Sequence, residues 1–172
     1  IGSNLISALN AAGENQIILV DDLSDTGKIQ NINDLRISDY QDKNDFRNVL
    51  CKSGLPAGVK AVFHQGACSD TMVSDGQYVM DVNYAYSKIV LHACSESGTP
   101  LIYASSASVY GRDGPFVESV ENEYPLNAYA FSKTLFDRYA FEESRRPATQ
   151  LVGLRYFNVY GPRQDYKGAY VA

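Results

Sequence analysis

The chain has no long apolar run and no cluster of basic residues. No stretch of 18 or more consecutive apolar residues occurs in its 172 residues, which argues against a membrane-spanning helix. The formal net charge is −5, and the only adjacent arginines are Arg145 and Arg146. Proteins that bind nucleic acids usually carry a basic patch. The composition therefore predicts neither a membrane partner nor a nucleic-acid partner.

Cysteine and histidine are also scarce. The three cysteines, Cys51, Cys68 and Cys94, are widely spaced and odd in number, which fits neither a disulfide framework nor a zinc site. The two histidines have no partners at metal-ligand spacing, so we expect no metal. The sequence shows no signal peptide pattern. Together these features predict a protein of the reducing cytoplasm.

Both ends of the chain suggest a piece of a longer protein. The sequence begins at Ile1 inside an amphipathic helix pattern that Gly13 ends, and it stops soon after a turn. With 45% apolar residues it is nevertheless long enough to build a core. We therefore interpret residues 1–172 as one domain fragment, truncated at both ends.

Apolar strand patterns alternate with helical patterns. The predicted strands cover residues 17–20, 61–64, 101–104 and 151–157, and the longer predicted helices cover 78–97 and 126–143. This alternation predicts an α/β fold with a doubly wound parallel sheet. Ligands bind beyond the carboxyl ends of the strands in such sheets. The polar or small residues at those ends are Asp21, Gly66, Ser106 and Asn158.

The first of these strand ends carries two carboxylates. In a dinucleotide-binding fold, Asp21 and Asp22 would hold the ribose hydroxyls of the adenosine, although a solvated turn is an alternative. Lys28 and Lys43 lie downstream and could accept a 2′-phosphate, or they could simply be exposed lysines. The small residues Gly66 and Ala67 would let the backbone approach a cofactor closely.

The most informative motif is Tyr129 four residues before Lys133, with Ser106 upstream at a strand end. On a helix such a pair shares one face, so the ammonium of Lys133 can favour the ionised phenol of Tyr129. Ser106 would bind the same substrate oxygen. A second copy of the spacing, Tyr84 with Lys88, follows no strand-end serine, and we predict that it has no catalytic role.

Four stretches extend this motif into a resemblance that covers the whole chain. They are Phe63–Thr71 (FHQGACSDT), Tyr103–Gly111 (YASSASVYG), Pro125–Lys133 (PLNAYAFSK) and Arg155–Arg163 (RYFNVYGPR). On these residues the chain resembles the extended short-chain dehydrogenases/reductases, which share a Rossmann-type NAD(P)-binding domain. Within them it is similar to the ADP-L-glycero-D-manno-heptose 6-epimerases. The Gly-Ala-Cys-Ser loop is the most discriminating piece.

The resemblance assigns roles to individual residues. Catalysis would fall to Ser106, Tyr129 and Lys133, with Lys167 as a second acid/base group. NADP, or else NAD, would be bound by Ile1, Asp21, Asp22, Lys28, Lys43, Gln65, Gly66, Ala67, Cys68, Ser69, Asn83, Tyr129, Lys133, Val159 and Lys167. An ADP-heptose substrate would meet Ser106, Asn158 and Ala169, although the family has a small hydroxyl residue at position 169.

The same resemblance implies more than these residues. The family's glycine-rich phosphate loop would precede Ile1, and its sugar-binding lobe would follow residue 172. Without them we expect residues 1–172 to be inactive, although the full-length protein would be an active homo-oligomer. The family reaction inverts C6″ of the heptose through a transient ketone, in the supply of lipopolysaccharide core precursor.

Three alternatives stay open at this point. A sugar-nucleotide 4,6-dehydratase would place an Asp-Glu pair where Ser106 and Ala107 stand, and no carboxylate occurs between residues 101 and 111. A UDP-hexose 4-epimerase shares the Ser, Tyr and Lys, and only the Gly-Ala-Cys-Ser loop and Lys167 argue against it. A non-catalytic dinucleotide-binding regulator would be expected to lose one of the three catalytic residues.

Overall fold

The computed structural model describes residues 1–145 and 149–163, which fall into two compact units. The first unit comprises Ile1–Asn48 and the chain from Asn158 onward. It contains α1 (Gly2–Ala11), β1 (Ile18–Asp21) and β2 (Asp39–Asp42). Strands β1 and β2 pair in parallel, with Ile18 opposite Asp39. A helix α2 (Lys43–Ser53) follows β2 directly.

Side chains on α1 and near the end of the described chain hold the first unit together. Asn10 donates to the carbonyl of Arg36 at 2.9 Å and accepts from its backbone N–H at 2.8 Å. The guanidinium of Arg163 forms a bidentate pair with Asp34, at 2.7 and 2.8 Å. These bonds fasten the loop that leads from β1 into β2, so the polar strand β2 reaches its partner.

The second unit, Val49–Phe157, is built on a three-stranded parallel sheet. Its elements are β3 (Val62–His64), α3 (Gly76–Met80), α4 (Tyr86–Ser97), β4 (Leu101–Ser106), α5 (Ala128–Ser144) and β5 (Leu151–Tyr156). The strand order is β3-β4-β5. The central strand β4 buries alternate side chains, and Leu101 is fully buried. The α/β class that the sequence pattern predicts is confirmed.

The structure differs from the predicted helix over 78–97 at its middle. One wide turn of π-helix, Asp81–Ala85, joins α3 to α4. Gly98 ends α4 with φ +67°, as the Gly-Thr-Pro sequence predicts. Asn127 caps the start of α5, because its side-chain oxygen accepts from the N–H of Ala130 at 2.8 Å.

Gly153 is required by the close packing of β5 on β4. It lies opposite Tyr103 in the parallel register. A Cβ at position 153 would lie 2.5 Å from both Cζ and the hydroxyl oxygen of Tyr103. The Tyr103 ring also packs edge-on against Phe136 of α5, with 4.9 Å between centroids, so it has little room to move.

Replacing Gly153 with alanine should therefore destabilise the protein. We expect Gly153→Ala to lower the free energy of unfolding by about 1–3 kcal/mol, because overpacking forces a shift of the ring or of the strand. Urea denaturation measures the change. Gly76→Ala is the matched control, since a Cβ at Gly76 meets nothing within 4 Å. Equal stability of the two variants would show that the sheet adjusts freely at Gly153.

Candidate active site

Lys133 connects helix α5 to the central strand β4. Its side chain is buried, with the residue 5% exposed, and its Nζ donates a hydrogen bond to the carbonyl of Ala104 at 2.8 Å. Ala104 lies two residues before Ser106 at the end of β4. The same Nζ lies 5.9 Å from the ring centroid of Tyr129, one turn earlier on α5. Lys133 thus contacts both the helix turn that carries Tyr129 and the strand that ends in Ser106.

The charge on Lys133 reflects two opposing influences. Burial lowers the pKa of Lys133 to about 8, and the negative charge of Asp137, one turn further along α5, opposes that change. A lysine with this pKa is largely protonated at neutral pH. The site therefore holds a buried ammonium beside the ring of Tyr129.

Ser106 ends β4 and begins a short 3-10 turn, Ala107–Tyr110. Its hydroxyl oxygen accepts hydrogen bonds from the backbone N–H of Ser108 at 3.2 Å and from the hydroxyl of Ser108 at 2.9 Å. Because Ser106 is the acceptor in both bonds, its own hydrogen can be donated to a substrate oxygen. The part of Ser108 in orienting this hydroxyl was not predicted from the sequence.

The second Tyr-x-x-x-Lys copy has a similar local geometry. Lys88 Nζ lies 4.4 Å from the ring centroid of Tyr84, closer than Lys133 is to Tyr129. It also lies 5.5 Å from the ring of Tyr139 on α5. The distinguishing feature is therefore not the i,i+4 pair itself. Lys133 is buried and bonded to β4, whereas Lys88 is half-buried above aromatic rings.

Asn83 organises the loop that follows β3. Its side chain is buried and lies in the π-helical turn. Its Oδ1 accepts from the N–H of Cys68 at 2.8 Å, and its Nδ2 donates to the carbonyl of Cys68 at 3.0 Å. The same Nδ2 donates to Ser132 Oγ at 3.1 Å, and Ser132 in turn donates to the carbonyl of Tyr129 at 2.7 Å.

These bonds place Asn83 between the predicted cofactor loop and helix α5. Its amide is occupied by protein partners, so the structure shows it positioning the loop at Cys68. Of the other loop residues, Gln65 and Ala67 are half-buried, whereas Gly66 and Ser69 are exposed. A Cβ at Gly66 would meet nothing within 4 Å, so the backbone there is open to a ligand. Direct cofactor contact by these residues stays a prediction.

His64 lies at the end of β3 and is linked through Ser87 to Asn83 in the π-helical turn. Ser87 Oγ donates to the carbonyl of Asn83 at 2.6 Å, so the 2.8 Å bond between Ser87 and His64 has the Nε2–H of His64 as its donor. Loss of hydration, and then the charge of Lys133, lower the pKa of His64 to about 3. His64 is therefore neutral near pH 7 and supports the turn at Asn83.

The four predicted adenosine-ribose residues come together in the first unit. Lys28 Nζ lies 2.9 Å from Asp21 Oδ1, and Lys43 Nζ lies 2.7 Å from Asp22 Oδ2. The hydrogen bond from Lys43 is the main cause of a pKa of Asp22 well below its usual range. Two carboxylates that accept hydrogen bonds and two ammonium groups thus meet at the end of β1. This donor and acceptor set fits a ribose, with or without a phosphate.

The remaining predicted residues are placed as follows. Asn158, Val159 and Ile1 lie at exposed positions. Lys167 and Ala169 lie outside the described residues. Within residues 1–145 and 149–163, no group of three or more His, Cys, Asp or Glu side chains is arranged to hold a metal ion. No helix in those ranges has the length and apolarity needed to cross a membrane.

Comparison with known proteins shows the family of the chain. Residues 1–171 match the model of the NAD dependent epimerase/dehydratase family, and the chain belongs to that family. It is 49% identical to the ADP-L-glycero-D-manno-heptose-6-epimerase of Thiobacillus denitrificans over 168 residues, which are 98% of this chain and 51% of that protein. The chain thus spans about half the length of this relative. The resemblance inferred from the four motifs is confirmed.

Two solved structures show the same fold. The ADP-L-glycero-D-manno-heptose-6-epimerase of Helicobacter pylori is 31% identical with a TM-score of 0.63, covering 92% of this chain and 60% of that one. The UDP-glucose 4-epimerase of Thermus thermophilus, solved in complex with NAD, is 29% identical with a TM-score of 0.74, covering 95% and 54%. The Rossmann-type fold of an extended short-chain dehydrogenase/reductase, predicted from the sequence, is thereby confirmed.

Changing Asn83 to aspartate should loosen the loop at Cys68. An aspartate keeps the acceptor for the N–H of Cys68 but has no hydrogen for the carbonyl of Cys68 or for Ser132. We expect Asn83→Asp to cost about 1–3 kcal/mol of stability, since buried acceptors lose their donor. Amide hydrogen exchange should show faster exchange at Cys68.

Asn122→Asp is the control for this change. Asn122 donates an exposed bond to the carbonyl of Val117 at 3.1 Å, so the same substitution there should change stability by no more than about 0.5 kcal/mol. If Cys68 exchanges at the same rate in the Asn83→Asp variant and the wild type, Asn83 does not hold the loop.

Proposed function

We propose that the polypeptide carrying these residues is a sugar-nucleotide epimerase that converts ADP-D-glycero-β-D-manno-heptose to ADP-L-glycero-β-D-manno-heptose. The observation that carries the proposal is the 49% identity, over nearly the whole chain, to a protein named for that reaction. The buried Lys133 beside Tyr129, and Ser106 with a hydrogen to donate, supply the groups that the chemistry needs. The product would serve lipopolysaccharide core synthesis in the cytoplasm, made by a homo-oligomer.

The reaction requires oxidation of C6″ to a ketone and its reduction from the opposite face. A bound nicotinamide supplies the hydride acceptor and donor for that carbon. Tyr129 would remove the proton of the C6″ hydroxyl, while Ser106 donates a hydrogen bond to the same oxygen. The ammonium of Lys133 would stabilise the phenolate of Tyr129. Lys167 would serve as acid and base for the other orientation of the sugar, with Asn158 and residue 169 facing the substrate.

The nicotinamide cofactor we propose is NADP. Asp21 and Asp22 would accept hydrogen bonds from the ribose of the adenosine, and Lys28 and Lys43 are close enough to them to meet a 2′-phosphate. NAD is the alternative, and the Thermus thermophilus structure contains it. Lys133 would also hold the ribose of the nicotinamide. Because oxidation and reduction balance in each turnover, the cofactor would stay bound.

A UDP-hexose 4-epimerase is the second candidate. The Thermus thermophilus UDP-glucose 4-epimerase aligns with the chain at the higher TM-score, 0.74 against 0.63. Both epimerases use a serine, a tyrosine and a lysine, so the geometry at Ser106 and Tyr129 does not separate them. A dehydratase lacks support because residues 101–111 carry no carboxylate. A non-catalytic regulator would not require the buried ammonium of Lys133.

Proton NMR of the complete polypeptide incubated with ADP-D-glycero-D-manno-heptose tests the proposal. We expect the L-glycero epimer to accumulate without added cofactor, because a resident nicotinamide is regenerated in each turnover. UDP-galactose in a parallel tube is the control substrate and should stay unchanged. Turnover of UDP-galactose alone would assign the protein to the second candidate. If neither substrate is converted, the proposal that the protein is an epimerase is wrong.

The role of Tyr129 has a matched control within the chain. Tyr129→Phe should lower kcat by about 10²–10⁴-fold, the usual contribution of a general acid/base group, while the cofactor stays bound. Tyr84→Phe removes the same hydroxyl from the other Tyr-x-x-x-Lys pair and should keep kcat within about threefold. Steady-state rates and the absorbance of bound cofactor measure both effects. A Tyr129→Phe enzyme with most of its activity would remove Tyr129 from the mechanism.

A further inference from the structure

A cluster of buried charges lies behind the catalytic helix, one turn beyond Lys133. Its centre is Asp137, whose side chain is 11% exposed. Asp137 Oδ2 accepts from the hydroxyl of Ser105 on β4 at 2.7 Å and from Arg155 Nε on β5 at 3.1 Å. Ser105 directly precedes Ser106, so this carboxylate holds α5 to β4 beside the catalytic serine.

Arg155 extends the cluster to the segment before α5. Its Nη2 donates to Glu123 Oε1, and Arg138 Nε donates to Glu123 Oε2 at 2.9 Å. The side chain of Glu123 is 3% exposed. The guanidinium of Arg155 also lies 5.0 Å from the ring centroid of Tyr110. Arg155 therefore links strand β5 to helix α5 and to the segment that leads from Ser106 to Tyr129.

The charges in this cluster are not evenly compensated. Glu123 has two arginine partners, whereas Asp137 shares Arg155 with Glu123. Among the described residues, Oδ1 of Asp137 accepts no hydrogen bond. Burial is the main reason that the pKa of Asp137 is raised, whereas the interactions with Ser105, Arg155 and Tyr103 lower this pKa. The ammonium of Lys133 is the cation on the same helix face, one turn away.

Other groups around Lys133 do not replace this carboxylate. Burial and then the charge of Lys133 lower the pKa of His64 on β3, so this histidine is neutral, and the Tyr129 ring lies near Lys133 in the preceding turn of α5. The hydrogen bond to Ala104 comes from β4 and carries no charge. Burial alone would favour loss of the proton from Lys133, and Asp137 is the negative charge that opposes it.

We infer that Asp137 is a positioning residue for the proposed catalytic site, because it fastens α5 to β4 and β5 and places a buried carboxylate one helical turn from the ammonium of Lys133. The inference deepens the proposed function and rests on it for its link to turnover. Its link to Lys133 can be measured without any substrate. Asp137 would not touch the reacting atoms itself.

The test compares Asp137→Asn with wild type in the complete polypeptide. Asparagine keeps an oxygen to accept from Ser105 and Arg155 but removes the charge. NMR titration of ¹³C-labelled lysine should show the Lys133 midpoint falling by about one pH unit. The midpoint of the alkaline limb in the pH profile of kcat should shift to lower pH by the same amount. Activity should therefore fall about tenfold at pH values above that midpoint and stay within about threefold at pH values below it.

Two variants separate charge from structure. Asp137→Glu keeps the charge and should restore both the midpoint and the limb. Glu123→Gln removes a buried charge from the same cluster but not from the group that faces Lys133, so it should leave the Lys133 midpoint in place. A rate loss in Asp137→Asn that is equal at every pH, with an unchanged Lys133 midpoint, would overturn the inference and leave Asp137 a structural residue.

The wild-type protein provides a check if Asp137→Asn does not fold. The inference requires Asp137 to be ionised while Lys133 is charged. Its carboxyl ¹³C resonance should therefore report an ionised group at pH 7 and should move again as Lys133 loses its proton. A protonated Asp137 at pH 7 would overturn the inference. Failure of the epimerase assay would leave these titrations unaffected, so the two failures are distinguishable.

Discussion

The second unit is organised around one constraint, a lysine ammonium held inside the protein. A buried charge is costly unless the protein supplies polar partners and opposite charge. Lys133 obtains both, from the carbonyl of Ala104 and from the carboxylate of Asp137. Because those partners come from β4 and from the next turn of α5, satisfying the charge also sets the helix against the strand. The position of Tyr129 relative to Ser106 therefore follows from the contacts that offset the cost of burying this charge.

The polar groups around Lys133 form two connected networks with different tasks. On one side Asn83, Ser132 and Cys68 tie the loop after β3 to the first turns of α5. On the other side Asp137 and Arg155 tie α5 to the sheet behind it. Both networks use hydrogen bonds whose loss would leave buried groups unpaired, which makes them rigid. Rigid support of this kind would hold Tyr129 and Ser106 in the fixed relation that the proposed reaction requires.

Much of the architecture could be predicted from local sequence patterns. The strands at Ile18–Asp21, Leu101–Ser106 and Leu151–Tyr156 were recognisable as apolar runs, and Gly98 was recognisable as the residue that ends a helix. Strand β2 (Asp39–Asp42) and helix α2 were missed. Strand β2 carries an acidic residue at each end, and it is a strand because β1 offers its backbone a parallel partner. The π-helical turn at Asp81–Ala85 was missed too. It contains Asn83, whose hydrogen bonds reach residues far away in the sequence, and a local pattern does not indicate such bonds.

The sequence by itself determined that Tyr129 and Lys133 share a helix face and that Asp21 and Ser106 stand at strand ends, because these relations follow from the repeats of helix and strand. It equally determined a second pair, Tyr84 and Lys88, with the same spacing. Only the tertiary structure decided which lysine is buried, bonded to β4 and faced by Asp137. Arg155, Ser105 and Asp137 meet from positions 18 and 32 residues apart. Such meetings depend on how strands and helices pack, which no local repeat encodes.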